Sequence, residues 1–132
     1  MADLQCLSAD SHIVEPAEIF AGLEQRFGDA APRIGKDPDL GDVLITGPGR
    51  GLPVGRLGIA GNRLDNAATH ELIKRGYEGL RPGVYDPRER LKDQDTDGVQ
   101  FEVIYPSLCF SIFSIQDPRI VAAVFERYND WL

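Results

Sequence analysis

The sequence predicts an α/β fold. An apolar strand-like stretch opens the chain, a second lies near residue 100, and apolar residues at helical spacing follow each of them. Strand then helix, repeated, is the pattern of a parallel sheet with crossover helices. Between the two units, residues 33–85 are rich in Gly and Pro and read as an irregular β insertion.

The first strand is expected at Gln5 to Ala9, where Leu4, Cys6, Leu7 and Ala9 are apolar. Apolar or small residues on both faces suit a strand covered on both sides. It runs straight into Asp10-Ser11-His12. A helix is expected from Pro16, a residue suited to a first helical turn. Ile19, Phe20, Leu23 and Phe27 give it one apolar face, and Gly28 ends it. In the insertion, Val43-Leu44-Ile45, Leu52, Val54, Leu57 and Ile59 lie between glycines, which predicts a hairpin or meander. Gly47-Pro48-Gly49-Arg50-Gly51 lacks the Gly-Lys-Ser/Thr ending of a phosphate loop and reads as a turn.

Asp86-Pro87-Arg88-Glu89 is a strong helix start, with Asp86 as cap, Pro87 in the first turn and Glu89 placed for a capping box. That helix runs to about Asp97, and Gly98 supplies a left-handed stop. Val99, Phe101, Val103 and Ile104 mark a buried strand ending at Tyr105-Pro106. Asp117-Pro118 opens a final helix whose apolar side holds Ile120, Val121, Val124, Phe125, Tyr128 and Trp131. It stops at Leu132 without a Gly, a Pro or a basic last turn, so the chain reads as a C-terminally truncated piece of a longer protein.

Charge narrows the function classes. Acids outnumber bases 21 to 14, for a net charge of −7. Nucleic-acid backbones and anionic membrane surfaces attract clustered Lys and Arg, so neither is an expected partner. No apolar run approaches the ~20 residues of a membrane helix, and the start lacks the basic and apolar regions of a signal peptide. Cys6 and Cys109 both lie in apolar stretches and read as reduced core thiols. A cytoplasmic protein acting on a small molecule is the expectation.

Asp10 and His12 are the sharpest chemical feature. Residues i and i+2 of an extended chain point the same way, so a carboxylate and an imidazole project together from the strand end. Such mixed ligation suits a divalent metal, with zinc favoured and manganese as the alternative. The bland alternative is a strand-end Asp and a nearby His that satisfy backbone groups. Glu15 could act as a base, though an acid before Pro16 also complements a helix N-terminus. His70, beside Glu71, Lys74 and Arg75, reads as part of a solvated helix face. Asp93, Asp95 and Asp97 lack the Gly and terminal Glu of a calcium loop. Cys109 has no His nearby in sequence, and no Gly-x-Ser-x-Gly elbow is present.

At Asp10-Ser11-His12-Ile13-Val14-Glu15-Pro16 the chain resembles the amidohydrolase-related family of metal-dependent hydrolases, in the branch that holds aminocarboxymuconate-semialdehyde decarboxylase. The resemblance continues in Arg26-Phe27, Ala31-Pro32-Arg33, Arg81-Pro82-Gly83-Val84-Tyr85-Asp86-Pro87 and Arg90-Leu91-Lys92-Asp93. It extends through Asp97-Gly98-Val99, Val103-Ile104-Tyr105-Pro106-Ser107 and Tyr128-Asn129-Asp130-Trp131-Leu132, and is weak over residues 35–75.

The resemblance implies the N-terminal part of a (β/α)8 TIM barrel, with the metal at the C-terminal mouth of the strands. A complete barrel needs about 250 residues, so residues 1–132 would form a partial barrel domain with an insertion at about 33–85. Asp10 and His12 would be the first two metal ligands, and the further ligands and the acid/base would come from later strands. Asp-x-His replaces the His-x-His of many members and lies closer to the variant of the decarboxylases. The implied activity is hydrolysis or nonoxidative decarboxylation of a small carboxylate or aromatic acid, in a homo-oligomeric full-length form.

The alternatives are a noncatalytic α/β remnant or assembly module and, more remotely, a calcium module at Asp93, Asp95 and Asp97. If the barrel reading holds, Phe101–Tyr105 pairs in parallel with the first strand, and Tyr105 and Ser107 line the mouth beside His12. The final helix then exposes a stripe of Val121, Val124, Phe125 and Tyr128.

Overall fold

A computed structural model of the chain describes residues 6–49 and 51–132. Leu4 and Gln5 of the expected first strand, and Arg50 of the expected turn, lie outside the described residues. The fold is mixed α/β, with a two-stranded parallel sheet and a separate three-stranded antiparallel sheet.

Strand β1 (Cys6–Ile13) pairs in parallel with β5 (Val99–Pro106), as expected, and their register places His12 opposite Tyr105. β1 is longer than its apolar run suggests, because the polar Asp10-Ser11-His12 segment also pairs with β5. Between Ser8 and Ser11 the ladder shifts register, three steps on β1 against two on β5. Such a bulge re-aims side chains near a strand end. Here it brings Ser8 and Ser11 together, Oγ to Oγ at 2.7 Å.

The helix expected from Pro16 to Gly28 is broken. Ala17–Ile19 form a 3-10 turn, α1 is only Glu24–Phe27, and Gly28–Ala30 form another 3-10 turn. Gly22 at φ 75° is the reason: its left-handed backbone interrupts the right-handed run. The apolar face survives the break, with Ile19, Phe20 and Leu23 buried.

The insertion forms the expected meander: β2 (Arg33–Asp37), β3 (Gly41–Ile45) and β4 (Leu52–Pro53), antiparallel throughout. Gly41 turns the chain at φ 70°, and a Cβ there would lie 2.3 Å from the Lys74 carbonyl oxygen. Helix α2 (Ala67–Lys74) packs behind this sheet, its start capped by Asn66. Helix α3 (Pro87–Asp97) starts on the Asp86 cap, with Pro87 in the first turn, and stops at left-handed Gly98. The Glu89 carboxylate pairs with Lys92 at 2.6 Å. Helix α4 (Pro118–Trp131) starts on the Asp117 cap. Hydrogen bonds from the Arg119 guanidinium and backbone hold that cap carboxyl down at about 2. Asp117 therefore stabilises α4 above the ordinary carboxylate range and loses that effect as pH falls through about 2.

The core lies beneath the strand ends. Val14, Phe20, Leu44, Val54, Leu108, Ile112 and Val124 are each at most 2% exposed and belong to one cluster. Each such side chain contributes about 1.5–3 kcal/mol by leaving water. Val124 and Tyr128 are thus buried, and Val121 and Phe125 are partly buried against the same cluster. The expected exposed stripe on α4 is not there, because α4 packs against the 3-10 segments Ala17–Ile19 and Cys109–Ser114 of this chain. Cys109 is a core thiol, but Cys6 is exposed.

Exposed apolar surface lies instead on the parallel sheet. Leu7 and Phe101 are 59% and 58% exposed, and Val103, Ile104 and Tyr105 are also open. Both strands were expected to be buried, but α3 contributes no buried residue to cover them. Two strands with open apolar faces and open edges favour association. Self-association that grows with concentration is expected in sedimentation, and the pair Leu7→Lys and Phe101→Lys is expected to reduce it. Among the described residues no helix is long and apolar enough to cross a membrane.

Candidate functional site

At the C-terminal end of the parallel pair, Asp10, His12, Tyr105 and Phe110 line one shallow cleft. The strand period sets the first two on one face, as the sequence suggests. His12 Nε2 lies 3.5 Å from Asp10 Oδ1. His12 Nδ1 lies 3.1 Å from the Pro106 carbonyl oxygen. The Pro106 carbonyl only accepts, so this contact is a hydrogen bond when Nδ1 carries a proton, and the other ring nitrogen, Nε2, faces the Asp10 carboxylate. A backbone carbonyl behind Nδ1 is the usual outer support of a metal-binding histidine. The Tyr105 ring lies 6.1 Å from the imidazole at a tilt of 43°.

A second layer fixes the strand end. Arg90 of α3 donates from Nη1 to the His12 carbonyl at 2.9 Å and from Nε to the Glu102 carboxylate of β5. Both side chains of this pair are largely buried, 14% and 12% exposed. Burial raises the Glu102 carboxyl, but hydrogen bonds from Arg90 and Gln94, the Arg90 charge and the Ser11 hydroxyl outweigh it. They hold the group below its ordinary value. One arginine thus ties α3, β5 and the backbone of a candidate ligand together.

Glu15 has a different place from either expectation. It is fully buried, and its carboxylate accepts from the backbone N–H groups of Ser107 (3.1 and 3.2 Å), Leu108 (2.8 Å) and Cys109 (2.8 Å). These amides open the 3-10 helix Cys109–Ser114. Glu15 does complement a helix start, but of the segment after β5 rather than the one after Pro16. With its acceptor sites turned to backbone, it cannot serve as a base for a ligand at His12. Burial, then the Glu15 charge and hydrogen bond, push the Cys109 thiol far up, so it is not a nucleophile.

Tyr105 shares the cleft with His12, while Ser107 is not part of that lining and spends its amide on Glu15. Phe110, 61% exposed, was not singled out in the sequence. Four residues, Pro106-Ser107-Leu108-Cys109, separate it from Tyr105, an offset that matches neither the strand nor the helix period. His70 is exposed on α2, and Asp93 is engaged by Arg81 at 2.6 Å. Among the described residues no group of three or more His, Cys, Asp and Glu side chains converges to hold an ion. Asp10 and His12 therefore stand as a pair. Compared with models of protein families the chain matches none, and comparison with curated proteins likewise finds no match.

Proposed function

We propose that this chain supplies the opening strands of a TIM-barrel enzyme of the amidohydrolase-related type, with Asp10 and His12 as two ligands of a divalent metal, zinc foremost. The observation that carries this reading is the imidazole with Nδ1 held by the Pro106 carbonyl and Nε2 turned to the Asp10 carboxylate. A neutral imidazole nitrogen and a carboxylate oxygen are the donors zinc takes. The parallel pair supports the barrel part of the reading, since its open faces and edges call for further strands and helices.

A bound ion of this kind supplies Lewis acidity, which serves hydrolysis and nonoxidative decarboxylation alike. His12 and Asp10 hold it, Arg90 fixes the backbone beneath His12, and Tyr105 and Phe110 offer a wall for a flat carboxylate or aromatic acid. The setting proposed is cytoplasmic, with a small-molecule substrate and a homo-oligomeric complete enzyme.

Zinc competition against a chromophoric chelator tests the pair. Structural zinc sites with four protein ligands bind with about 10–16 kcal/mol. Two ligands supply roughly half of that, about 5–8 kcal/mol, a dissociation constant of about 1–200 µM. His12→Ala and Asp10→Ala are each expected to weaken zinc by tenfold or more. Unchanged affinity in both variants would remove the metal reading. Turnover by this chain alone is not expected, because catalytic zinc usually takes three protein ligands.

A further inference from the structure

A second cleft lies apart from the one at His12. It has a volume of about 560 Å³ and is walled by Val14, Tyr77, Tyr85 and Trp131, with Glu18 and Glu78 also in its lining. It borrows residues from the segment after β1, from the insertion and from the end of α4, so three parts of the chain meet there. The Tyr77 hydroxyl is already spent, donating to the Glu15 carbonyl at 3.0 Å, which leaves the ring as wall. Trp131 is steadied by the Tyr128 ring, 5.9 Å away between centroids.

Its charge has one sign. The lining contains two carboxylates and no Lys, Arg or His. Neither Glu18 nor Glu78 forms an ion pair among the described residues. The cations beside Glu78 are engaged elsewhere: Lys36 pairs with Asp42 at 2.8 Å, and Arg75 donates to the Glu78 backbone carbonyl at 3.4 Å. Next to Glu18, the Arg127 guanidinium is likewise spent on backbone, donating to the Ile19 and Ala21 carbonyls. The Tyr77 phenol reports the same field, pushed far up by burial and then by the charges of Glu15, Asp42 and Glu18.

We propose that this cleft binds a small organic cation, an ammonium group carrying an aromatic or branched apolar part. Aromatic walls attract cations through the negative faces of their rings, and the carboxylates add charge at the rim. A neutral ligand of the same shape gains only the apolar contact, and an anion is repelled. The proposal rests on the cleft alone and is independent of Asp10 and His12.

Trp131 is the chain's only tryptophan, so its emission reports occupancy. Benzyltrimethylammonium is titrated against benzyl alcohol and benzoate, with calorimetry for stoichiometry. Saturable binding of one ammonium per chain is expected, about tenfold tighter than the alcohol, with no response to benzoate. Glu18→Gln is expected to weaken the ammonium severalfold and leave the alcohol unchanged, while Tyr85→Leu weakens both. His12→Ala is expected to bind the ammonium as the parent chain does, which separates this site from the metal pair. Equal binding of the alcohol or benzoate, no saturation, or an unchanged ammonium affinity in the combined Glu18→Gln and Glu78→Gln variant overturns the proposal.

Discussion

Glu15→Ala is expected to cost about 3–6 kcal/mol of folding stability, a large part of the 5–15 kcal/mol that holds a typical domain together. The loss follows from who is left unpartnered. The backbone N–H groups of Ser107, Leu108 and Cys109 have the Glu15 carboxylate as acceptor. Leu108 and Cys109 are fully buried, so water cannot replace it. Each orphaned donor costs about 1–3 kcal/mol. Glu15→Gln keeps the shape and one acceptor oxygen but turns an NH2 toward N–H groups, so an intermediate loss is expected. Urea unfolding followed by Trp131 emission measures both. Thiol labelling gives a local readout: exposed Cys6 reacts at once, and Cys109 reacts only when its 3-10 helix opens. Glu15→Ala is expected to speed the slow phase. A variant within 1 kcal/mol of the parent, with Cys109 still protected, would show that the carboxylate is not the latch.

That latch marks a boundary of what the sequence makes legible. Elements whose signals are local were readable. The Asp86-Pro87 and Asp117-Pro118 starts, the Gly98 stop and the glycine-punctuated meander depend on residues within a few positions of each other. The parallel pairing of β1 with β5 followed from topology, since a long helical connection permits a crossover. The shared face of Asp10 and His12 followed from the strand period.

What failed depended on distant neighbours. An acid before Pro16 looks like a partner for the next helix, and nothing local says that amides at 107–109 will claim it. Val124 and Tyr128 read as an open stripe because their cover is expected from later barrel elements, and nothing local says that the 3-10 segments after β1 and β5 will pack there. Conversely, β1 and β5 read as buried because apolar composition states what a strand seeks, not whether cover is within reach. Gly22 sits inside a helical pattern, where a single glycine is often tolerated, and only its φ of 75° shows that it breaks the run. Arg90 was visible as a residue but not as the tie between α3, β5 and His12, which is a contact of three separate segments.

Arg90→Met tests that tie and is expected to cost about 2–3 kcal/mol at neutral pH. Removing one partner leaves the Glu102 charge, only 12% exposed, without its counter-ion. Acid should reveal the sign. Glu102 has a folded pKa below its ordinary 4.5, so its contribution is fully present above that value and is lost as pH falls through the folded pKa. Without Arg90, burial, the largest influence on this carboxyl, is left opposed mainly by Gln94 and Ser11. The gap between parent and variant should therefore be widest near pH 7 and narrow below about 4.5. A gap that stays constant with pH would assign the loss to packing alone. Adding Glu102→Leu to Arg90→Met removes the buried charge and is expected to restore stability to within about 1 kcal/mol of the parent. The His12 carbonyl still lacks its donor in that double variant. Zinc affinity should therefore stay severalfold weaker even though the fold is restored, because Arg90 supports the backbone beneath His12 as well as neutralising Glu102. Recovery of zinc affinity together with stability would mean that Arg90 acts on the fold alone.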